Sequence, residues 1–309
     1  MQTLTKPNLT ADDYPTRLTT EAWSERKDPV VWSKWTPEAP LTQKHVQSFA
    51  DNGFLVLKDL FSKAEIAALK AVSGALRSGQ TPVDAEDKIT EPGSDAIRTV
   101  FRLDRHNALF DRLARDSRIA GIVRHLLADD LYLHQSRLNY KPGFTGKEFY
   151  WHSDFETWHA EDGMPRMRAI SASVLLSDND ALNGPLMLMP GSHKTFVACA
   201  GATPDKNHEN SLKKQEIGVP SQDSLAKMAE THGIDYAAGS AGTVILFDCN
   251  TLHGSNGNIT PFARSNAFFV YNAWSNRLQA PFAAKAPRPD FLSERAPKAA
   301  IRIETGPLV

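Results

Sequence analysis

The segment FYWHSDFETWH (residues 149–159) sets His152 two positions before Asp154 inside an aromatic run. In a strand, residues i and i+2 share a face, so both side chains would turn to one interior, with Trp151 and Ser153 on the other side. A lone carboxylate there is costly and needs a strong partner, and a metal ion is one. A third ligand stands in GTVILFDCNTLHGSNGN (242–258), where a strong strand at 243–247 leads into His253. Two imidazoles and one carboxylate with open positions make the set used in non-haem iron(II) oxygen chemistry. Zinc takes the same donors, so donor types alone leave the metal open. Arg264, eleven residues after His253, follows the NGN turn and heads a new strand. An antiparallel return would lay it beside the strand end carrying His253. Its planar guanidinium could there grip a carboxylate through two parallel hydrogen bonds. Iron(II) enzymes that consume 2-oxoglutarate need such a grip, because the keto acid chelates the metal at one end and is anchored at the other. Ser255 could add a hydroxyl to the same carboxylate. The plainer readings are a surface H-x-D pair, a loop histidine and a surface salt bridge, and it is the co-occurrence that favours iron. His45, His106, His125, His208 and His232 have no such company and read as surface or helix-packing residues. His193 reads as a turn residue, and His159, on the face opposite His152, is the rival ligand.

The elements that must position these groups are legible in outline. Residues 1–40 are polar and proline-bearing, and read as an arm lying over the domain. LTQKHVQSFADNGFLVLKDLF predicts a helix capped by Thr42 and stopped by Gly53, then a short strand. Ser62 and Glu65 have the spacing of a capping box, and Ile66, Leu69, Val72 and Leu76 recur at helical spacing behind it. DSRIAGIVRHLLADD predicts a third amphipathic helix. Beyond about residue 130, short apolar runs alternate with separators rich in Gly, Pro, Asn and Asp. Helices followed by many short strands predict a mainly β protein: an antiparallel barrel or double-sheet roll with helices on one side. The polar segment from about 203 to 235 predicts a helix-prone insertion between strands.

The 309 residues carry a formal net charge of −1 and no basic stripe, so nucleic acid is not an expected partner. No apolar run approaches the ~20 residues of a membrane span. Cys199 and Cys249 form no close-spaced metal or redox motif, and the polar N-terminus lacks an apolar signal core. A reducing cytosol, and so a cytoplasmic protein, is the simpler expectation.

The order of H-x-D, then GPLMLMPGSHK, then a distal His with an Arg eleven residues on resembles the phytanoyl-CoA dioxygenase superfamily. HVQSFADNGFLVLKDLFSKAEIAALK resembles its N-terminal segment. Within it, FYWHSDFETWHAEDGMPRMRAIS (149–171) resembles the signature of the ectoine hydroxylase family, as do HQSRLNYKPGF, SLKKQEIGVP and DDYPTR. The resemblance implies one domain over 1–309, with an arm at 1–40, a mostly helical part at 41–130 and a double-stranded β-helix (jelly-roll) core at 131–309. It implies Fe(II), 2-oxoglutarate and O₂, and hydroxylation of ectoine to 5-hydroxyectoine with release of succinate and CO₂. His152, Asp154 and His253 match the iron ligands. Lys141, Ser255 and Arg264 match positions that bind 2-oxoglutarate, and Gln135, Trp158, Phe268, Phe247 and Thr157 match positions that hold ectoine. Family members are often homodimers. The alternatives are a hydroxylase of another small amino-acid-like substrate, or a non-catalytic or zinc-binding jelly roll. Ectoine joins a carboxylate to an amidinium cation, and aromatic faces such as Trp158 and Phe268 attract such a cation by ~0.5–2 kcal/mol each.

Overall fold

The computed structural model describes residues 12–91, 95–212 and 214–309. Its strands, in chain order, are β1 (Ala22–Glu25), β2 (Phe54–Leu57), β3 (Lys88–Thr90), β4 (Ile97–Phe101), β5 (Leu131–Lys141), β6 (Phe149–His152), β7 (Ala169–Leu175), β8 (Leu186–Leu188), β9 (Thr195–Ala198), β10 (Asp235–Ala237), β11 (Val244–Asp248), β12 (His253–Ser255) and β13 (Arg264–Ala273). A seven-stranded sheet has the order β2-β11-β7-β13-β5-β4-β3, and a four-stranded sheet the order β10-β8-β12-β6. All named pairings are antiparallel, and the two sheets form the expected jelly-roll core.

Alternation along the strands of the large sheet divides its faces. Val244 and Leu246 of β11, Ala172 and Val174 of β7, and Ala267, Phe269 and Tyr271 of β13 join a core shared with Phe49, Leu69, Leu76, Phe110 and Leu126 of the helices. Ile245, Phe247, Leu175 and Phe268 point the other way, to meet Leu186 and Leu188 of the small sheet. The helices covering the outer face start as their sequences predict. Thr42 accepts from the His45 amide ahead of helix Gln43–Asn52, and Gly53 stops it at φ +79° with its amide on Phe49 O. A Cβ at Gly53 would lie 2.5 Å from His193 Nδ1, so the position needs both the left-handed backbone and the missing side chain. The Ser62/Glu65 capping box forms ahead of helix Lys63–Arg77.

Three sequence expectations change. The third predicted helix forms but opens as a π-helix, Ser117–Gly121, before continuing as the α-helix Ile122–Leu127. The interval 41–130 carries, besides its helices and the expected β2, two strands the sequence pattern does not predict, β3 and β4; β2 extends one edge of the large sheet and β4 and β3 the other. The arm does not merely lie over the surface. Tyr14 is buried edge-on against Phe155 and Phe196, and β1 pairs with β9; residues 1–11 lie outside the described part. The segment from 203 to 235 does form an inserted pair of helices, His208–Ser211 and Gln222–His232.

Candidate metal centre and substrate pocket

β6 and β12 are neighbours in the small sheet, and their register sets His253 directly opposite His152. One cross-strand pair therefore closes the long sequence gap between the two imidazoles, whose ring centroids lie 4.3 Å apart. Asp154 arrives differently from the strand expectation. β6 ends at His152, Ser153 is extended, and Asp154 opens the short helix Asp154–Thr157. The chain turns because the Phe155 amide donates to Cys249 O, which pulls the segment off the strand line. The carboxylate still reaches the imidazoles: His152 Nε2 lies 3.7 Å from Oδ1 and His253 Nε2 3.9 Å from Oδ2. His152, Asp154 and His253 are all buried and offer donor atoms within 4.8 Å of one another.

This arrangement fits a metal. Ligand bonds of ~2.1 Å put donors up to ~4 Å apart, and the two measured separations fall in that range. His152 Nδ1 lies 2.8 Å from Tyr150 O and His253 Nδ1 3.0 Å from Thr251 O. Those carbonyls take the Nδ1 protons and leave both Nε2 lone pairs for a cation. Burial, reinforced by the His152 charge, pushes His253 down to about 4, so it is neutral and able to ligate at physiological pH. Burial pushes the Asp154 carboxyl up, but the His253, His152 and Arg137 charges outweigh it and hold the group well below the usual carboxylate range. A second convergence, Asp84, Asp87 and His106, is already served by Arg102, whose Nε reaches both Asp87 oxygens at 2.7 and 2.8 Å.

The triad opens onto a pocket whose other wall is the inner face of the large sheet. Gln135, Arg137, Asn139 and Lys141, alternate residues of β5, line it, while Leu138 and Tyr140 between them face the helices. Arg264 pairs across the ladder with Lys141. It does not lie beside β12 as the return-strand reading predicts, because β13 belongs to the large sheet and β12 to the small one. It faces the triad across the roll, and both line the same pocket. Among the described residues Arg264 has no ion-pair partner, and burial alone lowers it to about 10. Burial, then the Arg264 and Arg98 charges, push Lys141 down to about 7. Its Nζ donates to Ser255 Oγ at 2.8 Å. Lys141, Ser255 and Arg264 thus form one cationic, donor-rich end of the pocket that calls for an anion.

The residues matched to the substrate divide. Trp158 and Phe268 line the pocket, Trp158 resting edge-on against His134 at 5.0 Å between centroids. One face of Phe268 is taken by Arg137, whose guanidinium carbon sits 4.9 Å from the ring centre. The Gln135 amide is spoken for, donating to Leu292 O at 2.8 Å and accepting from Arg137. Thr157 accepts from Gln215 of the insertion at 3.2 Å. Phe247 sits behind His253, 4.9 Å from its ring, and does not reach the pocket wall. His159, the rival ligand, is stacked on Phe282 and bonded to Asp12 and Met164 O, with no nitrogen left for a metal. His193 is the turn residue expected, in Ser192–Lys194, with Nε2 3.1 Å from Ala50 O.

Sequence reasoning missed Arg137, Arg288 and Glu161, all on the pocket wall. Arg137 was within reach, two residues from Gln135 on one strand face. Arg288 was not, because it comes from irregular chain and is aimed by Asp162, which binds its Nε at 2.8 Å.

The fold and the site together define a class: a jelly roll presenting two imidazoles and a carboxylate on one rim of a pocket, with an unpaired guanidinium opposite. The family model described as Phytanoyl-CoA dioxygenase (PhyH) matches residues 49–266. The chain belongs to the phytanoyl-CoA dioxygenase family. It is 55% identical over 299 residues to the ectoine dioxygenase of Sphingopyxis alaskensis, covering 96% of this chain and 98% of that one. It is 56% identical over 288 residues to the ectoine dioxygenase of Stutzerimonas stutzeri, covering 93% and 95%. The crystal structure of EctD from S. alaskensis with 2-oxoglutarate and 5-hydroxyectoine superposes with a TM-score of 0.89 at 52% identity, covering 96% of this chain and all of that one. EctD with bound Fe superposes at 0.88 and 51% identity, with 96% of this chain and 100% of that chain covered.

Proposed function

We propose that the protein is an Fe(II)- and 2-oxoglutarate-dependent dioxygenase that converts ectoine, O₂ and 2-oxoglutarate to 5-hydroxyectoine, succinate and CO₂. The observation that carries this reading is the shared pocket. The triad of His152, Asp154 and His253 stands on one rim and the unpaired Arg264 on the other. Near-complete similarity to ectoine dioxygenases supports the choice of substrate. His152, Asp154 and His253 would hold iron, which with 2-oxoglutarate and O₂ supplies the oxidising power for hydroxylation.

The remaining work belongs to the chain. Arg264 receives the far carboxylate of 2-oxoglutarate, and Lys141 and Ser255 donate to it from the same end. Binding there neutralises the buried Arg264 cation, whose isolation otherwise costs free energy, and favours the protonated form of Lys141. Arg137 is a further, half-buried cation with no carboxylate in salt-bridge contact among the described residues, and it is suited to the carboxylate of ectoine. Trp158 offers its ring to the amidinium, while Phe268 shares its face with Arg137. Gln135 holds Arg137 in place, and Thr157, tied to Gln215, closes the side nearest the insertion. Phe247 backs the His253 imidazole. The walls exclude water, so the substrate carbon is oxidised in place of solvent.

The substrate is a small molecule, and no described helix is long and apolar enough to cross a membrane. One dioxygenase domain spanning 1–309, a cytoplasmic location and a homodimer complete the reading, on the strength of the family resemblance. The test is anaerobic loading with Fe(II) and 2-oxoglutarate, then air with ectoine. Expected are a product heavier by one oxygen and ectoine-dependent succinate. Succinate formation indifferent to ectoine would reject the substrate, and stable zinc occupancy without oxygen uptake would reject the chemistry.

A further inference from the structure

Behind Trp158 lies a group of ions that the catalytic reading does not use. Arg17, from the N-terminal arm, donates through Nε to Glu156 Oε1 at 2.7 Å and through Nη2 to Glu156 Oε2 at 2.9 Å. The same Nη2 reaches Glu161 Oε1 at 3.0 Å. Thr16 adds a hydroxyl to Glu156 at 2.7 Å, and Asn207 of the insertion donates to Glu161 Oε1 at 2.7 Å. All three charged side chains are at most 3% exposed. One guanidinium thus faces two carboxylates, and a negative charge is left over in a buried place. Arg288, the next cation, acts on Glu161 only at longer range, its direct ion pair being with Asp162.

The surplus has an address. Arg17 satisfies Glu156 at both oxygens, whereas the Arg17 and Asn207 bonds to Glu161 both fall on Oε1. Among the described residues no bond falls on Oε2, and Glu161 lines the pocket together with Trp158 three residues earlier. Arg137, on the strand wall, carries the opposite charge: a half-buried guanidinium bonded to a neutral amide and a ring face, with no carboxylate in salt-bridge contact among the described residues. A buried charge persists only where something compensates it. One zwitterionic ligand compensates both.

We propose that Glu161 receives the amidinium cation of the substrate and, with Arg137 on the substrate carboxylate, makes the pocket specific for a cyclic zwitterion. This rests on ectoine being the substrate. Trp158 supplies the face of the cation's seat and Glu161 its hydrogen-bond acceptor. Arg17 is a positioning residue: it fixes Glu161 without touching the ligand. The N-terminal arm thereby takes part in substrate recognition.

The test is calorimetric titration of the full-length enzyme, loaded anaerobically with Fe(II) and 2-oxoglutarate. Three probes are used: ectoine, the ectoine ring without its carboxylate, and cyclohexanecarboxylate. Glu161→Gln keeps the shape and an acceptor for Arg17 and Asn207. It is expected to weaken ectoine and the bare amidinium by roughly tenfold or more, the scale of a lost charge-assisted hydrogen bond. Cyclohexanecarboxylate, 2-oxoglutarate, iron content and Tm should not change. A folded Glu161→Gln enzyme with wild-type ectoine affinity overturns the proposal. So does equal loss of all three probes, which marks a structural role. Should Glu161→Gln not fold, Glu161→Asp withdraws the carboxylate with its charge intact and must show the same selectivity for the cationic probes; equal affinities there also overturn it. Wild-type enzyme that neither binds nor hydroxylates ectoine defeats the functional reading and takes this proposal with it. Wild-type enzyme that does both, beside a variant that matches it, defeats the Glu161 assignment alone.

Discussion

The two faces of the seven-stranded sheet are made by the same strands and do opposite work. Toward the helices, Leu138, Ala172, Val174, Leu246, Phe269 and Tyr271 form a closed apolar layer. Toward the roll, their neighbours Arg137, Asn139, Lys141, Arg264 and Phe268 line a pocket with buried, under-compensated charge. Burial of apolar surface on the first face supplies the stability that the second spends on holding cations out of water. The period of two keeps these demands apart on adjacent residues, so a substitution should affect stability or chemistry according to its parity.

The largest contrast is expected at the triad. Asp154→Ala should reduce turnover to background with little loss of fold, because the carboxylate's neighbours are the would-be metal ligands and the pocket and not the apolar core. Activity comparable to wild type would refute the ligand assignment, and so would iron content unaffected by the change. Phe269→Ala, on the opposite face, should do the reverse. It removes a fully buried ring and should cost ~3–5 kcal/mol in denaturant unfolding, with near-normal turnover per folded molecule. If it instead altered kinetics at unchanged stability, the division between faces would fail. Arg264→Ala should raise the 2-oxoglutarate requirement by roughly 30-fold or more, the loss of a buried charge pair being worth ~2–5 kcal/mol. An unchanged requirement would move the anchor elsewhere. Trp158→Ala should weaken ectoine binding by about 3- to 30-fold, following cation–π energies, with iron content untouched. Loss of iron would make Trp158 a support for the helix that begins at Asp154.

The smallest effect is a matter of pH. Lys141 falls from 10.5 to about 7 on folding. Between those values the unfolded chain binds the proton and the folded apoprotein does not, so this group makes stability rise with pH from about 7 to 10.5; below about 7 its contribution is at its most unfavourable. Lys141→Met should flatten that part of the stability profile. The bound dicarboxylate should restore the charge, so 2-oxoglutarate binding above neutral pH should take up a proton, measurable in buffers of different ionisation enthalpy. Binding without uptake would mean that the anion does not reach Lys141.

Much of this was legible beforehand, and the failures have identifiable causes. The helix caps at Thr42, Ser62 and Gly53 are local, set by hydrogen bonds within a few residues, and the structure has them as the pattern predicts. β5 spans the whole of LYLHQSRLNYK, as the turn-rich segment that follows that run predicts. The HSDF stretch misled because its two-residue periodicity is that of a strand, while the Phe155 amide bonds to Cys249 O, far away in the chain. Arg264 misled because a hairpin return was assumed where the chain changes sheets.

Residue types and local spacing were thus enough to mark His152, Asp154 and His253 as candidate donors, Arg264 as a candidate anchor, the helix starts and the roll of short strands, since each rests on residue chemistry or on patterns within a short window. Only the tertiary structure decided that Arg264 lines one pocket with the triad, that Arg137 has no carboxylate in salt-bridge contact among the described residues, and that Arg17 from the arm meets Glu156 and Glu161. These depend on which strands pair and on which charges remain uncompensated after every long-range partner has been placed, and no local window contains that sum.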